Sequence, residues 1–280
     1  MRGEKDRSEG EPGLTHESED KLKAFFREFA GAATSLLLLD YDGTLAPFRV
    51  DRFQASPWAG VRNLLNLIQN QKKTRIDVVS GRPAAEIVRL LDLNTPPTVW
   101  GLHGAERLHP DGRRELEPTA DRARTHLDAL RARLRQDAFG GLFEEKPNAA
   151  VVHWRGAAPH KANEIERRTR ELFEPLAEID GLQLLEFECG VELRAGRDKG
   201  GAVKAILHEL TAEKFATNVS GIPAAYLGDD ITDESAFAAM KGRGLSVLVR
   251  RQWRKTTADV WLKPPEELRR FLGMWLEATA

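Results

Sequence analysis

Short apolar runs alternate along this chain with longer stretches in which apolar side chains recur at helical spacing. Residues 36–40 (LLLLD), 75–80 (RIDVVS) and 98–102 (TVWGL) read as strands, being brief apolar segments bounded by polar turns. Between the first two, Ser56-Pro57 opens a helix, with Ser as its cap and Pro in its first turn, that carries Leu64, Leu65 and Ile68 on one face. Residues 83–91 follow as a second helix. Strand and helix in repeated succession form βαβ units, and these predict a parallel sheet.

Near Gly104 the texture changes. Residues 105–118 predict a hairpin turning at Asp111-Gly112, followed by an Arg-rich helix over about 120–136. Strands at 142–146, 150–154, 182–188 and 191–194 then surround one long polar helix at 159–178. From Asp198 the first texture returns, with helices at 198–210, 232–240 and 264–278 and strands at 224–227, 245–249 and 258–262. The pattern predicts an α/β protein with a Rossmann-like parallel-sheet core, residues 19–103 and 195–280, interrupted by an inserted α+β cap over 104–194. Residues 1–18 are acidic and poor in apolar groups, the composition of a disordered leader. A cleft is expected where the two modules meet.

Composition narrows the function. The 42 Lys and Arg against 43 Asp and Glu leave a net charge of −1, which gives no global field for nucleic acid or an anionic membrane. The basic stretches 122–135 and 167–170 lack interleaved aromatics and read as solvated helix faces. The longest purely aliphatic run, 36–39, is far short of a membrane span. Cys189 is the single cysteine, so no internal disulfide can form, which favours a reducing compartment; the expectation is a cytoplasmic protein, and separately a monomer. Trp100, Trp154 and Trp261 lie in or beside predicted strands and read as core, whereas Trp253 sits in a loop.

The sharpest chemical signal is LLLLDYDGT, in which Asp40 ends a strand and Asp42 follows two residues later. Period-2 geometry points both carboxylates the same way, at the carboxyl rim where open parallel sheets bind ligands. Gly43 lets the chain turn, and Thr44 offers a hydroxyl and an amide to an oxyanion. A second strand end, AAYLGDDITDE, supplies Asp229 and Asp230, while Asp233 and Glu234 suit the first turn of the next helix. Four convergent carboxylates repel one another without a cation, and a hard divalent ion, most simply Mg²⁺, resolves the conflict. Ser80-Gly81-Arg82 follows the second strand, and Lys199 stands at a helix start.

In sequence order these pieces form a set that resembles the haloacid dehalogenase-like phosphohydrolases. The forms DYDGTL, SGR, GLHGAE and GDDITDESAF resemble, more narrowly, the trehalose-6-phosphate phosphatase family. The resemblance implies a small-molecule phosphorylated disaccharide as substrate. It implies that Asp40 is the nucleophile that forms an aspartyl phosphate, and that Asp42 arrives protonated as the acid. Mg²⁺ would be held by the Asp40 carboxylate, the Asp42 carbonyl and the Asp229 carboxylate. Ser80 and Lys199 would hold the phosphoryl oxygens, with Asp230 positioning the lysine or a metal-bound water. Thr44 and Arg82 are further expected substrate contacts.

For the sugar, the same resemblance points to Glu144 and Lys146 as a Glu-x-Lys element, Glu192 within Glu-x-Arg, and His103 with Glu106 as the HGxE of the hinge. Glu145 replaces Glu144 if the strand register differs by one. Neighbouring phosphatases acting on sucrose 6-phosphate or mannosyl-3-phosphoglycerate, and an inactive sugar-phosphate sensor, are the alternatives.

Overall fold

The computed structural model describes residues 16–29, 32–117, 121–136, 139–146, 148–179, 181–187, 189–217 and 221–280. Most of the leader, residues 1–15, lies outside the described residues, as do the predicted hairpin end at Pro118 and helix start at Ala120. Residues 16–18, also assigned to the leader from sequence, are helical. They open α1 (His16–Phe29), which docks because Phe25, Phe26 and Phe29 pack their rings against Trp275.

The chain continues through β1 (Ser35–Leu39), α2 (Val61–Asn70), β2 (Thr74–Val79), α3 (Ala84–Leu91) and β3 (Thr98–Gly101). A hairpin, β4 (Glu106–Leu108) and β5 (Arg114–Leu116), precedes α4 (Asp121–Gln136), β6 (Phe143–Lys146), β7 (Ala149–His153), α5 (Pro159–Ala177), β8 (Leu182–Phe187) and β9 (Gly190–Ala195). The last segment comprises α6 (Lys199–Thr217), β10 (Ala224–Gly228), α7 (Glu234–Met240), β11 (Leu245–Val249), β12 (Val260–Leu262) and α8 (Glu266–Ala278).

Two sheets result. The large one runs β12-β11-β10-β1-β2-β3-β4-β5, and its pairings from β12 to β3 are parallel. Strand periodicity divides β1 between two cores. Leu37 and Leu39 face the layer of α1, α2, α3 and α8, whereas Leu36 and Leu38 face α6 and α7. The small sheet, β6-β7-β9-β8, is antiparallel. It packs Val152, Val191 and Leu193 against Leu127 and Leu130 of α4 and Phe173 of α5. The Arg-rich faces carry intrahelical ion pairs such as Arg167 with Glu171 and Arg170 with Glu166.

The hairpin departs from the sequence expectation. Placed by sequence with the inserted module, it extends the large sheet, β4 pairing antiparallel with β3. Arg107 explains the docking. It sits opposite Trp100, lies 4.5 Å over that ring and donates to both oxygens of Glu209 on α6 at 2.6 and 2.9 Å. Trp100 and Trp154 are buried as predicted, and Trp253 is exposed.

Candidate active site

Register brings the chemical groups to one rim. Leu39 pairs with Leu227 of β10 and Val78 of β2, so Asp40, Asp229 and Ser80 all leave the sheet at its carboxyl edge. Asp40 and Asp229 are buried, and one oxygen from each lies within 4.8 Å of an Asp233 oxygen. Such proximity needs missing side chains. A Cβ on Gly43, whose φ is +80°, would stand 2.0 Å from Asp229 Oδ2, and one on Gly228 would stand 2.4 Å from Asp233 Cγ.

Asp233 is the anchor of the cluster. Its Oδ1 accepts from Lys199 Nζ at 2.7 Å and from the Tyr226 hydroxyl at 2.6 Å. Its Oδ2 accepts from the backbone amides of Asp229 and Asp230 at 3.1 and 2.9 Å. Lys199 also donates to Asp40 Oδ1 at 2.7 Å. Of the two roles the resemblance implies for Asp230, positioning the lysine or a metal-bound water, the first falls to Asp233, because the 3₁₀ turn Ile231–Asp233 folds the later carboxylate back beneath the rim. Asp230 lines the cleft instead.

Burial in this acidic setting pushes the Asp40 carboxyl up to about 7, with Lys199 opposing and Asp233 adding to the rise. Asp229 is raised well above its ordinary value, chiefly by burial and then by Asp40. Lys199, buried between two carboxylates, is raised, the attraction of Asp233 and Asp40 overcoming its desolvation. With all four acceptor positions of Asp233 engaged, Asp40 and Asp229 are the carboxylates left to bind. They form a hard, oxygen-only pair whose mutual repulsion a divalent cation would relieve, so the residues present fit such an ion.

Asp42 meets Arg82. Nε and Nη2 of the arginine donate to the two carboxylate oxygens at 2.6 and 2.5 Å, and Nη1 donates to the Arg52 carbonyl at 2.6 Å. The guanidinium expected on the substrate is thus engaged within the protein, a fork-to-fork pairing that its planar geometry favours. Thr44 is fully buried, its hydroxyl 3.4 Å from Asp40 Oδ2, and it orients that carboxylate instead of facing the cleft. Ser80 lines the cleft, and its hydroxyl accepts from the Arg82 amide at 3.2 Å.

A cleft of about 680 Å³ joins this rim to the small sheet. Glu144, Lys146 and Glu192 line it from β6 and β9, and Lys146 donates to Glu192 at 2.7 Å. Both Glu144 and Glu145 border the cleft, but their partners differ: Glu144 pairs with His153 at 3.0 Å, whereas Glu145 is taken by Arg135 of α4 at 2.6 Å. The His153 bond, outweighing burial, lowers the Glu144 carboxyl.

His103 enters from the hinge in a left-handed conformation, φ 60°. Its amide donates to the Ser80 carbonyl at 2.8 Å, and Nε2 lies 3.9 Å from Glu192. Burial, reinforced by the charges of Arg194 and Lys199, holds its pKa well below the usual imidazole value. Glu106 does not reach the cleft. It accepts from the Ala84 amide at the start of α3 and from Arg114, so its role is to fasten the hairpin.

Sequence reasoning misses Arg52, His153, Arg155 and Arg250, which also line the cleft. It likewise misses Arg254, whose guanidinium donates to the carbonyls of Asp229 and Asp230 at 3.3 and 2.6 Å. Their scattered positions carry no motif. The basic loop RQWRK is the one legible hint.

A parallel sheet with aspartates at its carboxyl rim, faced across a cleft by a small antiparallel sheet, defines a haloacid dehalogenase-like fold. A haloacid dehalogenase-like hydrolase from B. subtilis shares it with a TM-score of 0.59 at 18% identity, over 86% of this chain and 99% of that one. The C-terminal domain of trehalose-6-phosphate phosphatase from C. albicans shares it with a TM-score of 0.73 at 22% identity, over 96% and 99%.

The family described as Trehalose-phosphatase matches residues 38–262, and the chain belongs to that family. It is 31% identical over 248 residues to the trehalose-phosphate phosphatase of Mycobacterium marinum, a match that takes in 85% of this chain. The chain spans 60% of the length of that relative. No helix among the described residues is long and apolar enough to cross a membrane.

Proposed function

We propose that this protein hydrolyses trehalose 6-phosphate to trehalose and inorganic phosphate. One observation carries the reading. A buried carboxylate, Asp40, is aimed by Lys199 at the floor of a cleft whose opposite wall offers Glu144, Lys146 and Glu192. Charged groups of both signs on that wall suit the hydroxyls of a disaccharide, and membership of the trehalose-phosphatase family supports the choice of sugar.

An Asp40 oxygen attacks phosphorus, the bond from phosphorus to the sugar oxygen breaks, and that oxygen takes a proton from Asp42. Water then attacks the aspartyl phosphate and loses a proton to Asp42. The Asp40 carboxylate departs, and orthophosphate is released. Each proton step requires Asp42 to exchange part of the Arg82 fork for the reacting oxygen. Lys199 and the Ser80 hydroxyl hold the phosphoryl oxygens, and His103, buried against Ser80, shapes the entry to the floor. Mg²⁺, held by Asp40, Asp229 and the Asp42 carbonyl, would supply charge neutralisation and alignment of the phosphoryl group.

Phosphate release from a panel of trehalose, sucrose, mannosyl and monosaccharide phosphates tests the reading, with trehalose 6-phosphate expected to have the highest kcat/KM. Asp40→Asn is expected to abolish turnover with its fold intact. Preference for another ester overturns the substrate, and an Asp40→Asn variant of near wild-type activity overturns the chemistry.

A further inference from the structure

We propose that Arg52 is a positioning residue that ties the small sheet to Asp42, so that seating of the sugar and orientation of the acid are set together. The proposal rests on the hydrolase reading above and deepens it. Arg52 opens a single 3₁₀ turn, Arg52–Gln54, in the loop between β1 and α2. Asp51 fixes that turn, accepting from the Phe53 amide and from Gln54 Nε2, each at 3.0 Å.

The Arg52 guanidinium faces both ways. Nη2 donates to the two oxygens of Glu86 at 2.6 and 2.8 Å, and Nη1 lies 3.7 Å from Glu144 Oε1 on β6. Its carbonyl accepts from Arg82 Nη1, the nitrogen that also stands 3.7 Å from Glu86. The remaining donors of Arg82 grip Asp42. Groups of alternating charge, Glu144, Arg52, Glu86, Arg82 and Asp42, therefore run from the sugar-facing wall to the acid without a gap.

Burial falls unevenly along this chain of charges. The side chains of Arg82 and Glu86 are 11% and 14% exposed, against 44% and 39% for Arg52 and Glu144. The outer link is the weaker, screened one, and the inner links have little water to replace a lost partner. Removing the Arg52 side chain strips Glu86 of its bidentate partner. Glu86 then competes for Arg82 and pulls the fork away from Asp42. A substrate hydroxyl that engages Glu144 acts on the same chain from its other end.

Two esters separate this role from a merely structural one. Trehalose 6-phosphate needs the small-sheet contacts and a proton on its leaving oxygen. p-Nitrophenyl phosphate needs neither, because its phenolate leaves unprotonated. Arg52→Ala is expected to lower kcat/KM for trehalose 6-phosphate about tenfold and that for p-nitrophenyl phosphate no more than about twofold. Arg52→Lys should recover most of the loss. In a Glu144→Gln background, Arg52→Ala should cost no more than about threefold further.

An equal fall on both esters, no fall on the sugar ester, or full additivity with Glu144→Gln overturns the proposal. A wild-type enzyme that prefers another sugar phosphate overturns the substrate reading alone, and the comparison is then made with that ester. A wild-type enzyme that cleaves p-nitrophenyl phosphate but no sugar phosphate overturns both.

Discussion

Replacing Asp233 by Asn is the most informative single perturbation of the site. The side chain is fully buried and accepts from Lys199, Tyr226 and two backbone amides. Asparagine offers one acceptor oxygen and one donor nitrogen, so in either orientation its amide group meets two donors. Two buried donors lose their acceptor at about 1–3 kcal/mol each. Removing one negative charge beside Asp40 and Asp229 offsets about 1 kcal/mol. A net loss of about 3 kcal/mol follows, or about 6–12 °C in Tm. Asp230→Asn disturbs no comparable set of bonds and is expected to cost under about 1 kcal/mol. Denaturant titration and calorimetry of the two variants at one pH test the contrast. A stable Asp233→Asn protein, or an Asp230→Asn protein equally impaired, refutes the assignment of Asp233 as the anchor.

Two further outcomes follow from the electrostatics and the register. Asp40, raised by burial to about 7 in the fold, binds more protons folded than unfolded. Its contribution to stability is present below the unfolded carboxyl range and lost as pH rises through about 7, and Asp229 acts in the same direction. Saturating Mg²⁺ should therefore raise the Tm of EDTA-treated protein more at pH 7.5 than at pH 5; an equal rise at both counts against a metal on these carboxylates. Glu144→Gln is expected to raise KM for the sugar ester about tenfold and Glu145→Gln to leave it within about twofold, since Glu145 is engaged by Arg135 of α4 whereas Glu144 stands with the cleft-lining His153. The reverse order in steady-state kinetics would show the register to be read wrongly.

Asp40 and Asp42 were legible because strand periodicity and an immediate glycine turn are local properties of LLLLDYDGT. The βαβ alternation and the return of parallel texture after Asp198 were legible for the same reason, since neighbours along the chain dictate helix, strand and turn. The hairpin at Glu106–Leu116 was recognisable as a hairpin but not as part of the large sheet. That choice depended on Arg107 finding Trp100 and Glu209, a residue 102 positions away. Asp233 likewise looked like an ordinary first-turn acid, which locally it is. Its four hydrogen-bond donors come from α6, β10 and the turn after β10, and folding alone collects them.

Residue order alone was enough to show which carboxylates stand at strand ends, and hence that acidic groups gather at the sheet's rim. Tertiary structure alone decided which partner each charged side chain takes. Arg82 went to Asp42, Glu106 to the hairpin and α3, Lys199 to Asp40 and Asp233, and Arg52 into the space between the sheets. Ion pairs are chosen by distance and burial in three dimensions, and neither quantity is written in the spacing of residues along a chain.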